Sequence, residues 1–223
     1  MQITRINRIK NKPRFVNIYI DEKDKHIFHK DVVVKFGLKK DDDISELKLK
    51  ELLFQNEFHM AKDTALRYLS YRQRTEYELR KKLTQNKYKP KIIESAIQNF
   101  KKIGLINDIE FAESFTRDTL KKRGLGRALL KHKLMNKGIP KDIVAQVIDK
   151  TYKGINEKDT AIPIAKKQLK KYEARKNKSS SKENQIRLSN FLAQRGFSWD
   201  IISQVMRQIF KSSSDVTDIE VAG

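Results

Sequence analysis

Apolar residues recur with a helical spacing in three separate parts of this chain. The three copies begin at Leu79, Leu130 and Leu188, and each of these leucines has another apolar residue four positions later. The positions that the copies share further along are Tyr88, Ile139 and Phe197, then Ile92, Ile143 and Ile201, then Ile93, Val144 and Ile202, and finally Ile97, Ile148 and Met206. This spacing predicts amphipathic helices. Three copies of one pattern predict a duplicated helical unit, and such units stack into elongated bodies with long contact surfaces.

Residues typical of helix ends separate the predicted helices. Thr75–Glu78 has the capping-box pattern, which predicts the start of a helix, and Pro90 stands at a favoured early position of the next. Gly138 and Gly196 precede the third helix of the second and third units, where they indicate a left-handed backbone. Lys87 occupies the equivalent position in the first unit, so either Lys87 or the asparagine before it must adopt that conformation.

The first fifty residues follow a different pattern. Residues 16–20 alternate between apolar and polar side chains, which predicts a half-buried strand. Residues 21–25 form a polar turn, and residues 26–28 can return as the partner strand. Residues 3–9 can add an edge strand, and residues 31–36 a short helix.

We therefore predict a mostly α-helical protein, in which three tandem three-helix units form an elongated body behind a small β-containing N-terminal cap. The predicted domains are the cap at 1–58, the three repeats at 59–106, 107–155 and 156–211, and a disordered tail at 212–223. Residues 176–182 have low complexity and predict a mobile loop within the third repeat.

The charge of the chain is strongly positive and unevenly distributed. The 223 residues carry a formal net charge of +21, of which residues 1–59 supply +3 and the remainder +18. Such an excess is typical of proteins that bind nucleic acids or other polyanions. The absence of cysteine excludes disulfides and thiolate metal sites. No apolar run is long enough for a membrane span or a signal peptide, so we expect a cytoplasmic protein that does not bind membranes.

The basic residues cluster in runs that contain no acidic residue. Residues 79–93 and 119–141 are two such runs, and residues 166–176 form a third basic group with only Glu173 among them. Solvated helix faces are often basic, but here the usual acidic partners four positions away are missing, which favours contact with a polyanion. Arg72 and Arg74 could equally bind a helix C-terminus. The candidate binding residues are Arg72, Arg74, Arg80, Lys81, Lys82, Lys121, Lys122, Arg123, Arg127, Lys131, Lys133 and Lys137.

Catalytic and metal-binding patterns are not evident. His26 and His29 lie three residues apart without a second pair, and His59 and His132 stand alone, so we predict no metal site and no cofactor. The capping box accounts for Glu78, and Glu76 points away from it on the helix. We find no phosphate-binding glycine loop and no nucleophile motif, and therefore predict that the protein is not an enzyme.

Three motifs resemble those of the RecX family, the regulators of the RecA recombinase. Residues 74–83 (RTEYELRKKL) resemble the opening motif of the family, residues 104–112 the second and residues 124–139 the third. The resemblance covers roughly residues 60–210. Two positions depart from the family pattern, because Thr75 stands where serine is commoner and Lys87 where glycine is usual.

This resemblance implies a non-enzymatic modulator, and specifically an inhibitor, that lies in the groove of the RecA–DNA filament and also binds single- and double-stranded DNA. It would regulate recombination and DNA repair, and we expect it to act as a monomer. One alternative is a helix-turn-helix regulator that binds a specific duplex sequence as a two-fold dimer. Another is a metal-dependent enzyme acting on nucleic acid. For DNA binding we expect a strong salt dependence, and weaker binding when Arg127, Lys131 and Lys133 are reversed to Glu.

Overall fold

This computed structural model describes residues 1–174 and 180–214, apart from the side chains of Arg123 and of 211–214. The described residues form three strands and ten helices. The strands are β1 (Ile3–Arg8), β2 (Phe15–Ile20) and β3 (Asp24–His29). The helices are α1 (Lys30–Lys35), α2 (Glu46–Leu69), α3 (Glu76–Gln85), α4 (Pro90–Lys102), α5 (Asp108–Arg123), α6 (Arg127–Asn136), α7 (Lys141–Tyr152), α8 (Glu157–Glu173), α9 (Ser181–Gln194) and α10 (Trp199–Ser214). The chain divides into two compact units, Met1–Asn107 and Asp108–Gly223.

The N-terminal cap is an antiparallel sheet in the order β1-β2-β3. Val16 pairs with Phe28 and Ile18 with His26 across β2 and β3, which confirms the predicted hairpin. Because side chains alternate across a strand, Val16, Ile18 and Ile20 all face the same side, where they are buried. They form one hydrophobic core with residues of α1 and α2.

Helix α2 belongs to two cores at once. Leu52 packs into the core of the sheet, whereas Ala61 and Ala65 pack into the core of the first three-helix repeat. The predicted boundary between residues 58 and 59 thus falls inside one continuous helix of 24 residues. The cap and the first repeat share that helix, which explains why they fall in the same compact unit.

The first repeat consists of the second half of α2 with α3 and α4. Thr75 is fully buried and caps α3, since its hydroxyl oxygen accepts a hydrogen bond from the Glu78 N–H at 3.1 Å. Leu79 and Leu83 point inward from α3, as the spacing predicts. Lys87 adopts the left-handed backbone with φ of +62°, so the residue itself, and not its neighbour, takes the conformation that a glycine would adopt more easily.

The second and third repeats, α5–α7 and α8–α10, make up the other compact unit. Leu130 and Leu188 have no exposed surface, like their counterpart Leu79. Gly138 and Gly196 both have the predicted positive φ. The two repeats meet at the start of α6, where the Gly126 N–H donates to the Arg195 carbonyl at 2.9 Å.

The structure differs from the prediction in the middle of the third repeat and at its C-terminal end. Ser180 and Glu183 form a reciprocal capping box, so α9 begins at Ser181 and residues 181–182 of the predicted mobile loop are helical. Helix α10 continues to Ser214, three residues into the predicted tail. The rest of the predicted loop and tail, at 176–179 and 215–223, lies outside the described residues. Among the helices that the structure describes, none is both long and apolar enough to cross a membrane.

Candidate nucleic-acid interface

Arg80, a candidate in the first basic run, is paired with acids that lie outside that run. The Arg80 guanidinium lies 2.9 Å from the Glu76 carboxylate and 2.9 Å from that of Glu94, and the Lys101 ammonium lies 3.0 Å from Glu76. Glu76 is the acidic partner four positions before Arg80, so the expectation that such partners are missing is wrong for this residue. Burial would raise the pKa of Glu76, but the hydrogen bonds from Arg80 and Lys101 lower it below its ordinary value.

Arg72 and Arg74 are held by neighbours on the same repeat. Arg72 pairs with Glu78 at 3.0 Å and also donates to the Gln73 carbonyl. The Arg74 guanidinium lies over the ring of Tyr68, 4.1 Å from its centroid, in cation–π geometry. Among the other candidates of this repeat, Lys81 is exposed, and Lys82 is half-buried with its ammonium 5.9 Å from the centroid of the Tyr68 ring. The two cavities that several candidate cations line together lie in the second compact unit.

Arg127 connects the second repeat to the third. Its Nε lies 2.7 Å from the carboxylate of Glu157, which is mostly buried, and its guanidinium lies 4.9 Å from the ring of Tyr152. The Tyr152 hydroxyl donates to the Leu125 carbonyl at 2.7 Å. Burial raises the pKa of Tyr152, and Glu157 raises it further, so this hydroxyl stays protonated and keeps its donor role. The contacts of Arg127 are those of a residue that positions two helices.

A first basic cavity lies between α5 and α6 of the second repeat. It has a volume of about 570 Å³ and is lined by Phe115, Asp118, Thr119, Lys122, Lys133, Asn136 and Lys137. Three of the candidate lysines thus come together here. The carboxylate of Asp118 sits among them and reduces the positive potential.

A second basic cavity, which we call the inter-repeat groove, lies between α5 of the second repeat and α8 and α9 of the third. It has a volume of about 600 Å³. Its cations are Lys121, Lys122, Lys167, Lys171 and Arg195, and its other lining residues are Leu120, Gly124, Thr160, Ile164, Gln168 and Phe191. Among the described residues that line it there is no carboxylate.

The arrangement of these cations is unfavourable for an isolated protein. Lys167 and Lys171 lie four positions apart on one face of α8, and like charges at this spacing destabilise a helix by about 0.2–0.5 kcal/mol. An anion in the groove would remove this repulsion.

The structure therefore brings together some of the sequence-predicted residues and not others. Lys121 and Lys122 line the inter-repeat groove, and Lys122, Lys133 and Lys137 line the first cavity. Lys131 is exposed on α6 and lines neither of them, and the Arg123 side chain lies outside the described residues.

Three of the five groove cations, Lys167, Lys171 and Arg195, were not among the candidates predicted from the sequence. Lys167 and Lys171 were visible as part of the third basic group, and their spacing of four placed them on one helix face. Arg195 carried no such signal, because only the packing of α9 against α8 brings it to the groove.

The fold and the inter-repeat groove define a tandem three-helix-repeat protein with a cationic groove. Three family models match the chain in order: RecX, first three-helix domain, at residues 61–99; the second three-helix domain at 107–148; and the third at 157–206. The chain therefore belongs to the RecX family of regulatory proteins.

Similar proteins and structures agree with this assignment. The regulatory protein RecX of Clostridium perfringens (strain SM101 / Type A) is 33% identical over 211 residues, which are 93% of this chain and 96% of that protein. The regulatory protein RecX of Clostridioides difficile (strain 630) is 31% identical over 207 residues, 93% and 95% of the two chains. A crystal structure of a regulatory protein RecX superposes with a TM-score of 0.71 at 22% identity, covering 92% of this chain and 98% of that one. The crystal structure of RecX from Lactobacillus salivarius gives a TM-score of 0.61 at 27% identity over 69% of this chain and 97% of that one.

Proposed function

We propose that this protein is a non-enzymatic modulator, and specifically an inhibitor, of the RecA recombinase that binds the groove of the RecA–DNA filament and thereby regulates recombination and DNA repair. The observation that carries the proposal is the presence of all three RecX three-helix domains in order along the chain. A RecA filament repeats one subunit many times. Consecutive three-helix repeats can therefore contact equivalent surfaces on neighbouring subunits, which is the usual advantage of a repeat protein on a polymeric partner.

We further propose that the inter-repeat groove is where the protein contacts the DNA. Five cations line one cavity, and phosphates of a nucleic-acid backbone are the anions that best match several cations in a row. Lysine contacts to phosphate hold a strand without reading its sequence. This supports binding to both single- and double-stranded DNA rather than to one sequence.

The test is ATP hydrolysis by the cognate RecA on single-stranded DNA, measured with increasing amounts of this protein. We expect hydrolysis to fall as the protein is added, because filaments are blocked or shortened. The pair Lys167→Glu and Lys171→Glu should weaken this inhibition. The pair Lys10→Glu and Lys12→Glu changes the charge equally at exposed positions before β2 and should leave it intact.

Two results would contradict the proposal in different ways. If ATP hydrolysis by RecA stayed unchanged at concentrations of this protein that saturate the DNA, RecA would be excluded as the partner. Full inhibition by a groove variant that no longer binds free DNA would show that the groove is not needed for regulation. Binding of one duplex sequence by a dimer would instead favour a helix-turn-helix regulator, and cleavage of DNA with a divalent metal would contradict a non-enzymatic role.

A further inference from the structure

Two histidines that lie thirty residues apart in the sequence meet in the cap. The ring of His59 on α2 stacks on the ring of His29 at the end of β3, with centroids 5.8 Å apart and 23° between the planes. The prediction that His59 stands alone is therefore wrong. Asp31 on α1 completes the group, in which one ligand atom from each of the three residues lies within 4.8 Å of the others.

His29 is held firmly in place. Its side chain is 5% exposed, and its backbone N–H donates to Asn56 Oδ1 at 2.7 Å. Asn56 in turn donates from Nδ2 to the Ile27 carbonyl at 2.7 Å. The end of β3 is thereby tied to the middle of α2, so the imidazole has little freedom to turn away.

The surroundings of His29 determine which ring nitrogen carries the proton and which carries the lone pair. Nε2 lies 3.2 Å from the carboxylate of Asp63, and Arg14 lies 3.5 Å from the same carboxylate oxygen. Nδ1 accepts a hydrogen bond from the Asp31 N–H at 3.2 Å. Because Nδ1 accepts this bond, the proton of the neutral ring belongs on Nε2, which lies near Asp63 without the geometry of a hydrogen bond, and the lone pair on Nδ1 points toward Asp31. A carboxylate behind a histidine is the arrangement that orients metal-binding imidazoles in many proteins.

We propose that this cluster binds a divalent transition-metal ion such as Zn²⁺, with His29 Nδ1, the Asp31 carboxylate and the His59 imidazole as ligands and Asp63 orienting His29. Two imidazoles and a carboxylate form a common ligand set for zinc and suit copper and nickel as well. Mg²⁺ and Ca²⁺ prefer oxygen ligands, so they should bind this set poorly. Three protein ligands leave one position for water.

Small movements are sufficient to form the site. Bonds of about 2.0–2.1 Å in a tetrahedron place ligand atoms about 3.3 Å apart, closer than the 4.8 Å limit of the present cluster. The Asp31 side chain is 69% exposed and can move toward the two rings. The metal would replace the weak hydrogen bond from the Asp31 N–H to Nδ1, whereas the contact between Nε2 and Asp63 would remain.

The bound metal would join three elements of the cap. His29 and Asp31 flank the junction of β3 and α1, and His59 lies on the helix that continues into the first repeat. A ligand that binds only the folded state stabilises it, so the metal should stabilise the unit Met1–Asn107. This proposal is independent of the proposed interaction with RecA.

The experiment uses the full chain, first stripped with a chelator and then titrated with Zn²⁺ by calorimetry and with Co²⁺ by its visible absorption. We expect one ion per chain and a higher melting temperature with Zn²⁺. His59→Ala and Asp31→Asn should each weaken binding at least about tenfold, and Asp63→Asn by about ten- to hundredfold. His59 and Asp31 are partly exposed, so these two variants should fold, which circular dichroism can verify.

His26→Ala is the matched control, because His26 lies on the same strand as His29 but outside the cluster. It should bind Zn²⁺ like the parent protein, and a large excess of Mg²⁺ should not compete. The proposal is overturned if the stripped protein binds no stoichiometric Zn²⁺. It is equally overturned if His59→Ala, folded, binds as tightly as the parent, or if His26→Ala loses binding to the same extent.

Discussion

Gly126 and Gly196 lie against each other so closely that neither position has room for a side chain. A Cβ on Gly126 would lie 2.2 Å from the Gly196 carbonyl oxygen, and a Cβ on Gly196 would lie 2.2 Å from the Leu129 nitrogen. The contact lets the N–H groups of Gly126 and Ala128, at the start of α6, donate to the carbonyls of Arg195 and Gly196 after α9. The N–H groups in the first turn of a helix have no acceptor within that helix. At the start of α6, the carbonyls that follow α9 serve as these acceptors. This join holds the start of α6 against the end of α9, next to the inter-repeat groove that Gly124 and Arg195 line.

Gly126→Ala should therefore separate the second and third repeats. The backbones cannot relax without losing these hydrogen bonds, so we expect a destabilisation of about 1–3 kcal/mol. Denaturant unfolding monitored by the fluorescence of the single tryptophan, Trp199 on α10, measures it. Gly154→Ala is the control, because a Cβ there meets nothing within 4 Å. Equal stability of the two variants would show that the join is unimportant.

Neutralising two groove lysines should reduce both DNA affinity and its salt dependence. Each phosphate contact contributes about 0.7 to the slope of log affinity against log salt for single strands and about 0.9 for duplex DNA. Lys167→Gln with Lys171→Gln should therefore lower the magnitude of the slope by about 1.4 or 1.8. Fluorescence anisotropy from 50 to 200 mM salt measures this. Lys10→Gln with Lys12→Gln should leave the slope unchanged. If both pairs of substitutions lowered the slope equally, the groove would not be the DNA-binding site.

Arg127 should matter more for stability than for DNA binding. Its removal leaves the mostly buried Glu157 carboxylate without its 2.7 Å partner, which costs more than the loss of an exposed lysine. We expect Arg127→Ala to destabilise the protein by about 1 kcal/mol. Lys131→Ala, at an exposed position on the same helix, should have almost no effect. A larger loss of DNA affinity in Arg127→Ala than in the groove pair would contradict this assignment.

The ion pairs of Glu76 should make the first repeat less stable in acid. The pKa of Glu76 is lower in the folded protein than its ordinary value of 4.5, so its contribution is present above about pH 4.5 and is lost as the pH falls through the folded pKa. Glu76→Gln should lower the free energy of unfolding at pH 7, by less than about 1 kcal/mol for pairs this exposed, and should lower it less at pH 3. Urea unfolding followed by circular dichroism at both pH values measures this. Glu173→Gln, at an exposed position on α8, is the control. A difference that does not depend on pH would exclude the ion pairs as its cause.

Local patterns along the chain determined the helices, their caps and the repeats. Leu79, Leu130 and Leu188 are buried because the spacing of apolar residues in each repeat places each leucine on the apolar face of its helix. This spacing can be recognised without knowing how the helices pack. Gly138 and Gly196 follow the ends of helices, where a residue with left-handed backbone commonly terminates the helix, and both adopt that conformation. The predicted domain boundaries, the elongated body and the monomeric state stay predictions.

Tertiary structure decided which charges and which polar residues meet. The sequence by itself determined that the chain is basic and where the cations stand, but Glu94 reaches Arg80 only because α4 packs on α3. His59 and His29 came together in the same way, because α2 crosses the end of β3. The apolar pattern of a helix repeats every few residues, so a short stretch of sequence is enough to detect it. Contacts between distant segments depend on how the helices pack, and no local sequence pattern predicts this packing.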